Sequence, residues 1–207
     1  MLRGQLGYII LGIVFSFVGC SACTVATIRR RGEFRILERF GLFIGMYGAR
    51  MLVQGGSVLG VVPKSGWPTV LIVIVDYLLV VPSLLFWAEL SIGNFRRLSQ
   101  VGALVGAAIG IMGLGLFFTT GSSDRLLPYN HLLAICMLLV VGIVAGVPKP
   151  SRKFLVIQSR VLGICMPVIA SVALCVNLGG LLSFRPPPYI EPPAFALFVL
   201  SIEYVAA

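Results

Sequence analysis

What most constrains this chain is the spacing of its charges. Apolar runs at about 6–28, 40–58, 68–92, 101–119, 128–147, 154–182 and 193–207 are separated by short segments holding most of the arginines and lysines. About 20 apolar residues, each rising ~1.5 Å along a helix, cross the ~30 Å hydrocarbon core of a bilayer. No water is present there to bond the backbone, so such runs must close their hydrogen bonds internally as helices. The pattern predicts an all-α polytopic membrane protein, a single seven-transmembrane-helix bundle spanning 1–207, with a kink at Pro82 in the third run. Hydrophobic residues make up 58% of the chain, charged residues 11%, and the mean hydropathy is +1.04. A soluble domain carries about a quarter of its residues charged, so this excess of apolar surface belongs in lipid.

The basic residues predict orientation. Connections after the first, third and fifth runs hold Arg29, Arg30, Arg31, Arg35 and Arg39, then Arg96 and Arg97, then Lys149, Arg152 and Lys153. The opposite side holds Arg3, Lys64, Arg125 and Arg185. Ten against four, strictly alternating, predicts the amino terminus outside and the carboxyl terminus inside. The net charge of +9 is therefore spread over topology signals rather than gathered on one basic face, which excludes a nucleic-acid partner. Phe17-Val18-Gly19-Cys20 resembles a lipoprotein cleavage box, but apolar sequence continues to Ile28 before the three arginines, as in a spanning helix.

Cys20, Cys23, Cys136, Cys165 and Cys175 all fall inside apolar runs, which implies no disulfide framework. Cys20-x-x-Cys23 lacks a second pair, and the one histidine, His131, is remote in sequence, so no metal or other cofactor is expected. Small residues are placed for helix packing: Gly41, Gly45 and Gly48 form one stripe of the second run. Gly102, Gly106 and Gly110 repeat every fourth residue in the next-but-one run, and Gly142 and Gly146 do so in the run after that. This ladder suits internal packing or a homodimer.

Five ionisable residues lie within the runs: Arg50, Asp76, Glu89, Arg160 and Glu203. Each costs roughly 2.5 to 3.5 kcal/mol at the centre of a lipid-facing helix, so inward-facing pairs are expected. Counting from the inner side places Arg50 about 16 Å deep, level with Glu203, and Glu89 and Arg160 within about 10 Å of the inner surface. Those depths predict the pairs Arg50–Glu203 and Glu89–Arg160, as structural ties or as functional groups, although Glu89 and Arg160 are also placed to snorkel. Asp76 falls in the outer half with no basic residue at its level unless His131 leans toward it. Asp76, Tyr77, Tyr129, Asn130 and His131 are the outer-half candidates for sensing a small-molecule or lipid ligand. A purely structural role for Asp76, bonded to a nearby donor, is the competing reading.

Phe40-Gly-Leu-Phe-Ile-Gly-Met-Tyr-Gly-Ala-Arg-Met-Leu and the closing Pro193-Ala-Phe-Ala-Leu-Phe-Val-Leu-Ser-Ile-Glu-Tyr-Val-Ala-Ala resemble the seven-helix sensor modules of bacterial signalling proteins. In such proteins the module precedes a cytoplasmic output domain: a SpoIIE-type serine phosphatase, a histidine kinase or a diguanylate cyclase. The resemblance implies an input module in the bacterial inner membrane, with an output domain in cis and no catalytic residue of its own. The last run is shorter than a spanning helix and lacks a basic stop, which predicts that the natural chain continues. A small secondary transporter or proton-coupled carrier, with Asp76, Glu89 and Glu203 as a relay, is the alternative. A membrane-embedded enzyme finds no support, since no nucleophile sits beside a base.

Overall fold

The fold begins with a helical hairpin built on glycine. The computed structural model describes residues 2–29, 34–58, 60, 66–122, 125–146, 160–182, 193–197 and 199–200. Helices α1 (Leu2–Arg29) and α2 (Arg35–Val58) run antiparallel and share the most extensive interface in the bundle. A Cβ added at Gly19 would lie 2.5 Å from Gly45 Cα, and one at Gly48 would lie 2.5 Å from the Ser16 nitrogen. Gly41 is confined in the same way: the Gly19 carbonyl and the Cys23 sulfur each lie 2.8 Å from where its Cβ would sit. Backbone therefore packs directly on backbone, which is how helices gain van der Waals contact where lipid removes the hydrophobic drive between them.

The opposite face of α2 carries large side chains. Phe40, Ile44, Tyr47 and Met51 are buried with Phe15 of α1, and with Phe86 and Leu90 of the third rod. That rod comprises α3 (Trp67–Leu78) and α4 (Val80–Leu90), interrupted at Leu79. The interruption follows from Pro82, which has no N–H for the Leu78 carbonyl and whose ring crowds it. Leu79 keeps helical dihedrals and still donates to the Val75 carbonyl at 2.8 Å, so the helical path continues through the interruption. The break in the hydrogen-bond ladder falls one turn before Pro82, where the missing bond lies.

Helix α5 (Asn94–Thr120) closes on Gly121, whose left-handed φ of 73° lets its N–H cap the Phe117 carbonyl at 2.8 Å. Its glycine ladder faces inward. Gly102 meets Leu84 and Met137, Gly106 meets Val80, and Gly110 meets Leu78 and the Tyr77 carbonyl, so partners within the chain occupy this stripe. Helix α6 (Leu127–Gly146) and α7 (Arg160–Leu181) then pair with each other, and Gly142 approaches Ala170 across them. The surroundings of Gly146 and the side chain of Arg160 lie outside what the structure describes. A last helical segment, 193–197 with 199–200, returns to the core through Phe195 and the buried Val199.

Every described element is an α-helix. Three rods, Leu6–Arg29, Trp67–Leu90 and Asn94–Thr120, are long and apolar enough to cross a membrane. Helix α2 is long enough but carries Arg50 and Gln54, which lower its hydropathy. The helices exceed the apolar runs at their basic ends: α2 starts at Arg35 rather than Phe40, and α5 at Asn94 rather than Val101. Arginine and glutamate are good helix formers, so polarity ends the apolar run before it ends the helix. Gly48→Leu should cost on the order of 1 to 3 kcal/mol by overpacking the α1–α2 contact. Gly115→Leu, at a glycine with nothing within 4 Å, should be close to neutral. Unfolding of the reconstituted protein in a denaturing detergent measures both.

Candidate functional site

A partly open cavity of about 200 Å³ lies between α2, α3–α4, α6, α7 and the last helical segment. Its walls are mostly apolar, with Trp87, Met137, Val141, Val176 and Phe195 among them. Polar groups gather in one region, contributed by Arg50, Asp76, Ser83, Asn130, His131 and Asn177. An apolar chamber with a few convergent polar groups is the usual form of a small-molecule site.

Arg50 and Asp76 form its ionic element. Arg50 Nε lies 2.8 Å from Asp76 Oδ1, with the two side chains 22% and 23% exposed. The Nε–H itself is not aligned on that oxygen, so this contact is ionic attraction rather than a straight hydrogen bond. Among the described residues, Asp76 of α3 is thus a partner of Arg50. Glu203, expected at the same depth, lies outside the described residues. The expectation that Asp76 has no base at its level is corrected. Arg50, ten residues above the start of its run, and Asp76, eight below the start of its own, differ by only a few ångströms across a ~30 Å core. An arginine side chain reaches that far.

Next to this pair, Asn130 Nδ2 donates to the Asp76 backbone carbonyl at 2.7 Å, which fixes the orientation of its amide. Asn130 is only 5% exposed, and its Oδ1 has no hydrogen-bond partner. His131 Nδ1 lies 2.9 Å from Asn177 Oδ1. Because Asn177 Nδ2 donates to the Ala173 carbonyl at 2.8 Å, its oxygen faces the histidine. The network thus places a proton on His131 Nδ1, donating to Asn177 Oδ1. Ser83 Oγ donates to the Val80 carbonyl at 2.7 Å and keeps its lone pairs.

The other outer-half candidates separate from the cavity. Tyr77, 1% exposed, packs its ring on Gly113 of α5 and serves the core. Tyr129, 59% exposed, faces outward from α6. Alternation along each helix accounts for both, since neighbours in sequence point about 100° apart. Asn177 and Ser83 join the site without having been candidates from the sequence. A polar amide within an apolar run is the available signal for Asn177, and the Pro82 kink is the signal for Ser83.

Glu89 is placed far from this site. Its Oε1 lies 2.6 Å from Arg39 Nη1, and its Oε2 lies 3.8 Å from Arg96 Nη2. Arg39 also donates to the Leu85 carbonyl at 3.1 Å. Glu89 is thus partnered by Arg39 and Arg96, where Arg160 was expected. The early starts of α2 and α5 bring both arginines onto helices beside the end of α4.

The last helical segment completes the cavity wall. Phe195 stacks on Tyr47 with ring centroids 3.7 Å apart and an interplanar angle of 22°. It also meets Phe15 and Phe43 edge-on, at 5.2 and 5.4 Å. Among the described residues no group of three metal-ligating side chains occurs, and Cys20, Cys23, Cys136 and Cys175 are free thiols. Together these features define an all-helical protein of membrane type with an internal, amphipathic cavity. Comparison with known protein families, curated proteins and solved structures gave no match.

Removing one partner of a buried ion pair strands the other, whereas removing both does not. Arg50→Met and Asp76→Leu should each destabilise the bundle, and the double variant should recover part of the loss. A coupling on the order of 1 kcal/mol or more is expected in a double-mutant cycle. Strict additivity would take the pair out of the energetic account.

Proposed function

We propose that the chain is a transmembrane sensory input module, in which an occupant of the cavity biases the last helix and, through it, a cytoplasmic output domain in cis. The observation that carries this reading is that one cavity is bounded both by the Arg50–Asp76 region and by Phe195 of the last helical segment. A ligand shifts an equilibrium only through different affinities for two arrangements. Here the wall that would differ between arrangements belongs to the last helical segment. The likeness of its second and last runs to bacterial sensor modules supports the same assignment, in a bacterial inner membrane.

The proposed embedding is a seven-span bundle with the amino terminus outside and the carboxyl terminus inside. Arg29, Arg35, Arg39, Arg96 and Arg97 all fall where α1 ends and α2 begins, or where α4 ends and α5 begins. The Arg39–Glu89 contact joins those two junctions at one end of the bundle. That concentration of positive charge supports a cytoplasmic location. The carrier reading draws less from the geometry. Asp76 and Glu89 are thirteen residues apart on one rod, about 20 Å, and each sits against its own arginine. A proton relay would have to cross the apolar helix between them.

Two measurements test these statements. With the five native cysteines replaced, Arg97→Cys should react with an impermeant thiol reagent only after permeabilisation, and Ser122→Cys in intact cells. The reverse pattern inverts the orientation. For the relay, spin labels at Phe17 and Leu200, both exposed, report the position of the last segment against α1. Filling the cavity with Ala173→Phe should shift that distance distribution. An unchanged distribution, in a variant that still folds, would overturn transmission through the last helix.

A further inference from the structure

Positive charge at the α4–α5 junction exceeds what the neighbouring acids neutralise. Glu89 offers one negative charge to two guanidinium groups. Arg39 takes one oxygen at 2.6 Å and is held a second time by the Leu85 carbonyl. Arg96 reaches the other oxygen only at 3.8 Å, beyond hydrogen-bonding distance, and its side chain stays half exposed. Arg97 follows it on the exposed side of α5 and makes no ion pair among the described residues. Arg29 and Arg35 add charge at the same end, where Glu38 is the one other acid among the described residues. In the connection between α1 and α2, outside the described residues, Arg30 and Arg31 outnumber Glu33.

The helix face that Arg97 heads is apolar. Arg97, Val101, Leu104 and Ile111 recur at steps of four, three and seven, which is one side of a helix, and Leu98 and Val105 flank them. All six are exposed, whereas the glycine ladder on the opposite side packs against α3–α4 and α6. Since α5 is long and apolar enough to cross a bilayer, this side is placed for acyl chains, with the arginines at headgroup level. A soluble phosphate would meet the arginines and leave the apolar stripe unused. A zwitterionic headgroup brings its own cation toward a surplus of like charge, which repels it. An anionic headgroup brings the missing charge, and guanidinium groups bind phosphate oxygens through charge-assisted hydrogen bonds. We propose that the start of α5 is a binding site for an anionic phospholipid, with its phosphate held by Arg96 and Arg97 and an acyl chain along Leu98, Val101 and Leu104. This site rests on α5 spanning the bilayer and is independent of what the cavity holds.

Leu104 and Ile111 supply matched reporters, at 72% and 70% exposure on the same face. They lie about 10 and 21 Å along the helix from Arg97, on either side of the middle of a ~30 Å core. Each therefore meets acyl chains of a different leaflet, and only Leu104 meets those of a lipid held at the arginines. Leu104→Trp or Ile111→Trp, in a Trp67→Phe, Trp87→Phe background, is reconstituted with mixed phosphatidylglycerol and phosphatidylcholine. Tryptophan quenching is compared with dibrominated acyl chains on one lipid and then on the other. At Leu104→Trp phosphatidylglycerol should compete better by roughly fivefold for each arginine engaged. At Ile111→Trp the two lipids should quench nearly equally. Adding Arg96→Gln and Arg97→Gln should bring the Leu104→Trp ratio down to the Ile111→Trp value.

A ratio near unity at Leu104→Trp overturns the proposal. So does an equal preference at both positions, or one that survives both glutamine substitutions. Displacement of brominated phosphatidylglycerol by inorganic phosphate, but not by chloride of equal ionic strength, also overturns it and gives the arginines a soluble anion. Absence of quenching at both positions would take α5 out of the bilayer and the lipid site with it. Where the tryptophan background fails to fold, native mass spectrometry of the unaltered protein decides. It should retain phosphatidylglycerol over phosphatidylcholine, and Arg96→Gln with Arg97→Gln should remove one retained molecule; retention without that preference overturns the site.

Discussion

An arginine placed where water is excluded must find an acid, and this requirement ties the bundle together. Arg50 meets Asp76 at 2.8 Å, joining the middle of α2 to α3. Neither side chain is deeply buried within the protein, yet both lie along apolar helices where lipid offers no alternative partner. The pair fixes the rotation of α2. With Arg50 turned toward α3, the glycine stripe of α2 is turned toward α1, and Tyr47 and Phe43 toward the last helical segment. One helix thus presents a glycine face to α1 and, opposite it, an aromatic and ionic face shared between α3 and the last helical segment.

The interruption at Leu79 belongs to the same arrangement. Asp76 lies one turn before it and Pro82 just after it, so the ion pair and the break in the backbone ladder fall together. Freed backbone at membrane depth is tolerated where it is covered by protein or lines a cavity. Here Leu79, Val80 and Ser83 all contribute to the cavity wall, and Asn130 bonds the Asp76 carbonyl from across it. The interrupted stretch of the third rod and the Asn130 amide of α6 thus meet at the same part of the cavity wall.

Much of this is legible in the sequence because membrane constraints are written in one dimension. Run lengths locate the rods, Pro82 announces the interruption of the third, and glycine spacing marks faces that do pack closely. Pairing is not legible from depth alone, since counting assumes that helices start where apolar sequence starts. Arg39 reads as part of a connection, whereas α2 already includes it and delivers it to Glu89. For Arg50 and Asp76 the depths in fact agree, and what the sequence lacks is the adjacency of α2 and α3, a property of tertiary packing. The cavity, the His131–Asn177 contact and the place of Phe195 are of the same kind. They depend on which helices neighbour one another, and apolar periodicity does not encode that.

The contacts around the cavity also differ in how readily they give way. Breaking a buried ion pair by removing one partner costs about 3 to 5 kcal/mol, and separating the charges within hydrocarbon is opposed by the same desolvation. A ring contact contributes about 0.5 to 1.5 kcal/mol beyond its buried area and accommodates both stacked and edge-on geometries. Arg50–Asp76 therefore acts as the fixed corner of the chamber. Phe195, held in an aromatic setting of Phe15, Phe43 and Tyr47, is the wall that shifts at lower cost. An occupant pressing outward from the ionic corner works against the weaker side, and the weaker side belongs to the last helical segment. That asymmetry favours the proposed coupling from the cavity to the last helical segment, without any part of the ion pair being broken.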